Sequence, residues 1–252
     1  MVLGARVGKE IEMNDSKDKK VSKSKGAVRS FFESMPGADY AEAAIDTLTD
    51  SELLKNVPVV RSFVGAWEFR NKYKRSRFLK RVEVFHSNLS ELTDDDLKKF
   101  DEEFETAGEA EEFVTDLIEL MDRLENEQKS IMLAGAFKRL VRREIREQNF
   151  REIARVFERV DNLDLFLFMH GYQNPHSFEH ALGDILVNFR VCKRSIKTAT
   201  RQTMMLDPSK VESYIDVAYE VTPFGRLVLE TLHQVYQDKI EPKNLIKTGF
   251  MV

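Results

Sequence analysis

Three groups of side chains in this 252-residue chain have types and spacings suited to chemistry or ligand binding. The first is His176-Ser177-Phe178-Glu179-His180. Two imidazoles a helical turn apart can hold a zinc ion, and the glutamate beside them can take a proton from metal-bound water. The histidines follow directly on Pro175, and the candidate third ligands Asp184, Glu212 and Glu220 have no motif around them. Surface histidines are therefore the plainer reading, with a zinc-dependent hydrolase as the alternative. The second is Cys192, the only cysteine, in Phe-Arg-Val-Cys-Lys-Arg. Neighbouring cations can depress a thiol pKa, but a small half-buried strand residue explains it more simply. The third is positive charge. Arg190, Lys193, Arg194, Lys197 and Arg201 put five cations in twelve residues with no acid among them. A second basic stretch, 61–81, carries Arg70, Lys74, Arg77 and Arg81 beside Trp67, Phe69 and Tyr73. Such clusters suit phosphates, anionic lipid heads or an acidic protein surface.

An acidic segment competes for those charges. Residues 91–127 hold 16 acids against three basic residues, so the basic stretch and the acidic one are expected to pair as neighbouring helices, with nucleic acid or a protein partner as rivals. Other catalytic templates are missing: there is no phosphate-cradling Gly-x-x-x-x-Gly-Lys-Ser/Thr loop, no Gly-x-Gly-x-x-Gly, no Gly-x-Ser-x-Gly and no Cys-x-x-Cys. Gly65 and Gly135 stand alone in helical patterns, where close helix packing explains them. No catalytic residue, metal or cofactor is assigned.

The elements that must position these residues are mostly helical. The chain has 42% hydrophobic and 33% charged residues with few Gly and Pro, a composition of globular proteins rich in long helices. Residues 1–26 are Lys- and Ser-rich and read as a mobile basic tail; Phe31 and Phe32 then mark a short docking piece. A long helix is expected from Pro58 to about Asn88. Thr93 followed by Asp94, Asp95 and Asp96 predicts a capped helix start, and three further helices follow. The first comes after a break at Gly108, through Phe113 and Leu117; the second runs through Phe137 and Leu140, and the third through Phe150 and Phe157. Short connections imply an antiparallel bundle over 27–170. Beyond Gly171 the texture changes. Residues 189–203 and 214–221 alternate apolar and polar side chains and read as strands around an Asp207-Pro208-Ser209 turn, and Thr222-Pro223 opens a last helix. No stretch approaches the roughly 18 apolar residues of a membrane span, and the longest candidate, Leu163–Met169, is interrupted by Asp164.

The run Tyr219-Glu-Val-Thr-Pro-Phe-Gly225 and the helical sequence to Leu232 resemble the wing and terminal helix of bacterial winged-helix domains, where Tyr-x-Leu-Thr-x-x-Gly recurs; Val221 stands at the Leu position. The resemblance implies a winged-helix-like α+β module over 171–252. A helix from about Ser177 to Val187 would precede the wing, in the place that enters the major groove in DNA-binding members. That helix offers His176, Glu179, His180 and Asp184 but no Arg, Lys or Gln to read base edges. More faintly, the order of a Pro-Val-Val helix start, a basic Arg-Phe-Leu-Lys segment, an acidic helix and this ending is similar to helical proteins of bacterial mobile elements, some related to Abi-alpha-type abortive phage-infection proteins. The expectation is a cytoplasmic, non-enzymatic binding or regulatory protein. It would contact nucleic acid, without sequence preference, or a protein partner through basic helix 61–81 and wing 190–201. A structural adaptor in a larger complex is a further alternative, and the oligomeric state is left open.

Overall fold

The structure, a computed structural model, describes residues 26, 28, 29, 31, 72–174, 181–202 and 211–246. Residues 1–25 of the basic tail, Arg70, the helix start at Pro58, the histidine motif His176–His180 and the Asp207–Ser209 turn lie outside the described residues. Among those described, the chain is mostly helical with one two-stranded antiparallel sheet near its C-terminal end. Among the described residues no helix is long and apolar enough to cross a membrane. The chain divides into two compact units, 1–144 and 145–252. The division falls before Ile145, whereas the change of texture in the sequence falls after Gly171.

The first unit contains α1 (Lys72–Ser87), α2 (Asp94–Asp101), α3 (Ala107–Arg123) and α4 (Glu127–Val141). Helix α1 packs on α3 and α4, and α2 on α4. Apolar positions at helical spacing supply a shared aromatic core: Phe100 contacts Phe104, Phe113 and Phe137 with ring centroids 5.3–5.9 Å apart, and Phe85 meets Phe137 at 5.8 Å. Burying each such ring contributes roughly 1.5–3 kcal/mol. The Thr93 start is a capping box: Asp96 N–H donates to Thr93 Oγ1 at 3.2 Å while Thr93 N–H donates to Asp96 Oδ2 at 2.9 Å. Gly108 does not break the chain. It lies in the first turn of α3, because Thr106 Oγ1 accepts from Glu109 N–H and starts the helix upstream of the glycine. Phe31 is buried as expected of a docking piece, and the Asp101 carboxylate accepts from the backbone N–H groups of Val28 and Arg29 at 3.0 and 3.1 Å.

The second unit contains α5 (Glu147–Arg159), α6 (Asn162–Gly171), α7 (Ala181–Asn188), β1 (Cys192–Gln202), β2 (Val211–Val221), α8 (Pro223–Val235) and two short 3-10 turns. Helix α8 packs on α5, α6 and β2, and α7 on β1. The turn from α7 into β1 is closed by two backbone bonds, Arg190 N–H to Val187 O and Val191 N–H to Leu186 O, both 2.9 Å, with Arg190 at φ 60°. This is a left-handed helix end, more often built with glycine. The fully buried Leu186 and Val191 bracket it.

Candidate functional site

The junction below the hairpin explains the Thr-x-x-Gly run. Thr222 caps α8 by accepting from Gly225 N–H at 2.9 Å, and its hydroxyl donates to Arg190 O at 2.6 Å. Thr222 N–H donates to Val191 O at 3.0 Å. Pro223 at the first helical position has no donor to leave unsatisfied. A Cβ on Gly225 would lie 2.0 Å from Val191 O, so only glycine lets α8 come this close to the start of β1. Cys192 sits in this base. It is buried, and burial pushes its thiol up to about 12, which makes it an inert packing group.

From the base the two strands run in register from Cys192 opposite Val221 to Gln202 opposite Val211. Side chains two apart alternate between the faces. One face begins with the buried Cys192, continues to Arg194 opposite Tyr219, and then carries Ile196 opposite Val217 and Thr198 opposite Ile215. At Arg194 and Tyr219 helix α7 closes over this face: Tyr219 Oη donates to Asp184 Oδ1 at 2.9 Å and Arg194 donates to the same oxygen at 3.1 Å. Farther along nothing among the described residues covers it. Ile196 is 61% exposed, Ile215 70% and Val217 40%.

The opposite face is ionic. Lys193 Nζ lies 2.7 Å from Glu220, whose carboxyl the bonded lysine holds below the usual glutamate range. Lys197 is the register partner of Asp216, and Arg201 that of Glu212. At the foot of the hairpin Arg190 pairs with Glu152 at 2.8 Å. The wing therefore has no acid of its own strand, yet β2, α5 and α7 supply one opposite each described cation. The sequence carries the signal in retrospect: cations at 193, 197 and 201 and acids at 212, 216 and 220 share a spacing of four.

The basic helix is spent differently. Arg77 donates to Glu125 O at 2.8 Å, Arg81 to Asp122 O at 3.1 Å, and Lys80 pairs with Glu127 at 3.0 Å. Those carbonyls lie at and just beyond the C-terminal end of α3, where the helix dipole favours positive charge. Arg81 is buried. Its described part thus pairs with the acidic segment of its own unit. Lys74 belongs to α1, but its side chain, like that of Arg201, lies outside the described residues.

No family model matches the chain, and neither does any curated protein or solved structure. Two features of the hairpin unit escape sequence reasoning. Helix α6 has apolar residues around most of its circumference, Leu163 and Leu167 exposed and Leu165, Phe168 and Met169 buried, so it has no amphipathic stripe to read. The other is His233, buried in α8, whose Nε2–H donates to Met169 O at 3.1 Å while Nδ1 accepts from Ile246 N–H at 2.9 Å. Burial holds its pKa below the usual histidine value. It ties the segment after α8 to the end of α6 and is committed to packing. Among the described residues no cluster of His, Cys, Asp and Glu is arranged to hold a metal ion.

Proposed function

We propose that this chain is a non-enzymatic binding protein whose C-terminal unit is winged-helix-like and uses the wing to hold a protein partner. The observation that carries the reading is the contrast between the two faces of the hairpin. Its cations stand opposite acids, whereas Ile196, Ile215 and Val217 continue the alternation of the buried base into solvent. Nucleic acid needs cations that can replace condensed counterions, and cations already matched by carboxylates do so poorly. Helix α7, in the place of a recognition helix, spends Asp184 on the hairpin and has no Arg, Lys or Gln among its described residues to read base edges. A regulatory or adaptor role fits such a module, and a cytoplasmic setting in bacterial phage defence or prophage regulation is the proposal that goes with the sequence resemblance.

Binding to random duplex and single-stranded DNA across roughly 50–200 mM salt tests the reading, since phosphate contacts give a steep slope over that range. The expected result is weak binding that changes little when Arg190, Lys193, Arg194 and Lys197 are neutralised. A steep slope that flattens on neutralisation would overturn it in favour of nucleic acid.

A further inference from the structure

We infer that His233 is the catch of a strap: protonation of its ring releases the segment 241–246 from α6 and α8 while the rest of the second unit stays folded. The inference is independent of what the wing binds. The same two bonds that tie His233 into the packing make its charge state decide whether that segment is docked.

The segment is held at few points. After Ile240, which is buried, residues 241–244 are exposed and Leu245 and Ile246 half-buried. A short turn, Pro242–Asn244, folds it on itself, with Asn244 N–H donating to Glu241 O at 2.8 Å. Two bonds then reach the body of the unit. Tyr172 Oη, just past the end of α6, donates to Asn244 O at 3.2 Å, and Ile246 N–H donates to His233 Nδ1 at 2.9 Å. Tyr172 also meets the imidazole edge-on, with ring centroids 5.4 Å apart.

The tautomer follows from these partners. A backbone N–H can only donate, so Nδ1 carries no proton, and the single ring proton sits on Nε2, where it meets Met169 O at 3.1 Å. A second proton can go only to Nδ1, and there it would point at the Ile246 N–H. One contact has to open. The bond to Met169 O strengthens when the ring is charged, so the ring stays with α6 and the segment leaves.

The charges around the ring do not oppose this. His170 of α6 is a like charge, and among the described residues no carboxylate of α5, α6, α8, β2 or the segment itself holds a proton on the imidazole. Glu241 of the segment pairs with Lys243 at 2.7 Å, Glu152 of α5 with Arg190, and Glu220 of β2 with Lys193. Burial keeps the closed ring below the ordinary histidine value, and opening relieves part of that burial, so the open form binds the proton more tightly. The closed form is therefore most stable above about pH 6.5, and acid favours the open form by up to about tenfold per pH unit until the closed ring itself titrates.

Backbone hydrogen exchange of the full chain between pH 7 and 5, read by NMR and corrected for the intrinsic pH dependence of exchange, tests this at Ile246, with the fully buried Leu232 of α8 as reference. The expected result is protection at Ile246 that lies below that of Leu232 throughout and falls at least about threefold from pH 7 to 5. Tyr172→Phe, which removes the other tether, should lower protection at Ile246 already at pH 7 and keep the fall with acid. In His233→Gln, whose amide can accept and donate but does not titrate, the fall should vanish. Protection at Ile246 that stays flat with pH in the parent overturns the catch, as does a fall of the same size in His233→Gln. Ile246 and Leu232 exchanging with equal protection at pH 5 overturns it too, since the segment would then leave only when the whole unit unfolds.

Discussion

The cations of α1 and those of β1 look alike as runs of Lys and Arg, but the molecule uses them in different ways. Arg77 and Arg81 reach backbone carbonyls at the end of a neighbouring helix, and Arg81 does so from a buried position. Arg190, Lys193 and Arg194 reach carboxylates on the surface. Backbone acceptors at a helix terminus cannot move away, whereas an exposed Lys–Glu pair loses much of its attraction to water and salt. The first set should hold the fold together; the second mainly cancels charge. What anchors the hairpin is its base.

The sharpest separation between base and charges comes from Gly225→Ala. The new methyl would sit 2.0 Å from Val191 O, a backbone atom fixed by Thr222, so α8 and the hairpin must part. We expect a loss of about 3 kcal/mol in urea unfolding, at the upper end of overpacking costs. A loss under about 1 kcal/mol would mean that the base yields easily and that cross-strand charges do more to hold the hairpin.

Arg81→Met comes next. It keeps much of the buried stem but removes the charge-assisted bond to Asp122 O and the carboxylate 3.6 Å away. The expected cost is about 2 kcal/mol, within the range for bonds made by charged groups. Lys193→Met, on the hairpin, should change stability by less than about 0.5 kcal/mol. Equal costs at the two positions would erase the distinction between the two cation sets.

Acid offers a third way to tell the regions apart, because arginine does not titrate and His233 does. Its folded pKa lies below the ordinary histidine value, so the neutral form is the one the fold favours. The corresponding stability is present in full above the unfolded value near 6.5 and is lost as pH falls towards the folded value. A protonated ring cannot accept from Ile246 N–H. Stability measured between pH 7 and 5 should therefore fall in the parent and fall less in His233→Gln, which has no titrating group there. The same pH dependence in both proteins would move its origin elsewhere.

How much of this was legible in the sequence depends on how local the cause is. The caps at Thr93 and Thr222-Pro223 were readable because each is made within a few residues. The hairpin was readable from its alternation, though β1 starts at Cys192 rather than Phe189 because the left-handed turn at Arg190 takes up the residues between. Helix α6 was not readable, having no polar side to set a period. The fate of the wing cations was the least legible part, because Lys193 meets Glu220 only through strand register. The basic helix was more legible: its opposite charge to residues 91–127 announced the pairing that Arg81 makes with Asp122, though which residues meet is set by the packing of α1 on α3.

The smallest effect tests the charge ladder itself. Lys193 and Glu220 are both well exposed, with side chains 66% and 58% accessible, so their attraction is screened although their atoms lie 2.7 Å apart. A double-mutant cycle with Lys193→Ala and Glu220→Ala should give a coupling close to zero, shrinking further at high salt. That small energy has a consequence for recognition. A lysine held so loosely can be pulled from its glutamate by a strong polyanion, so matched charge protects the hairpin from nucleic acid only through the summed repulsion of the acids on β2. Glu220→Gln and Asp216→Asn together should therefore raise DNA affinity at low salt while leaving the apolar face unchanged. If they do not, the ionic face is silent towards nucleic acid for reasons other than its own carboxylates.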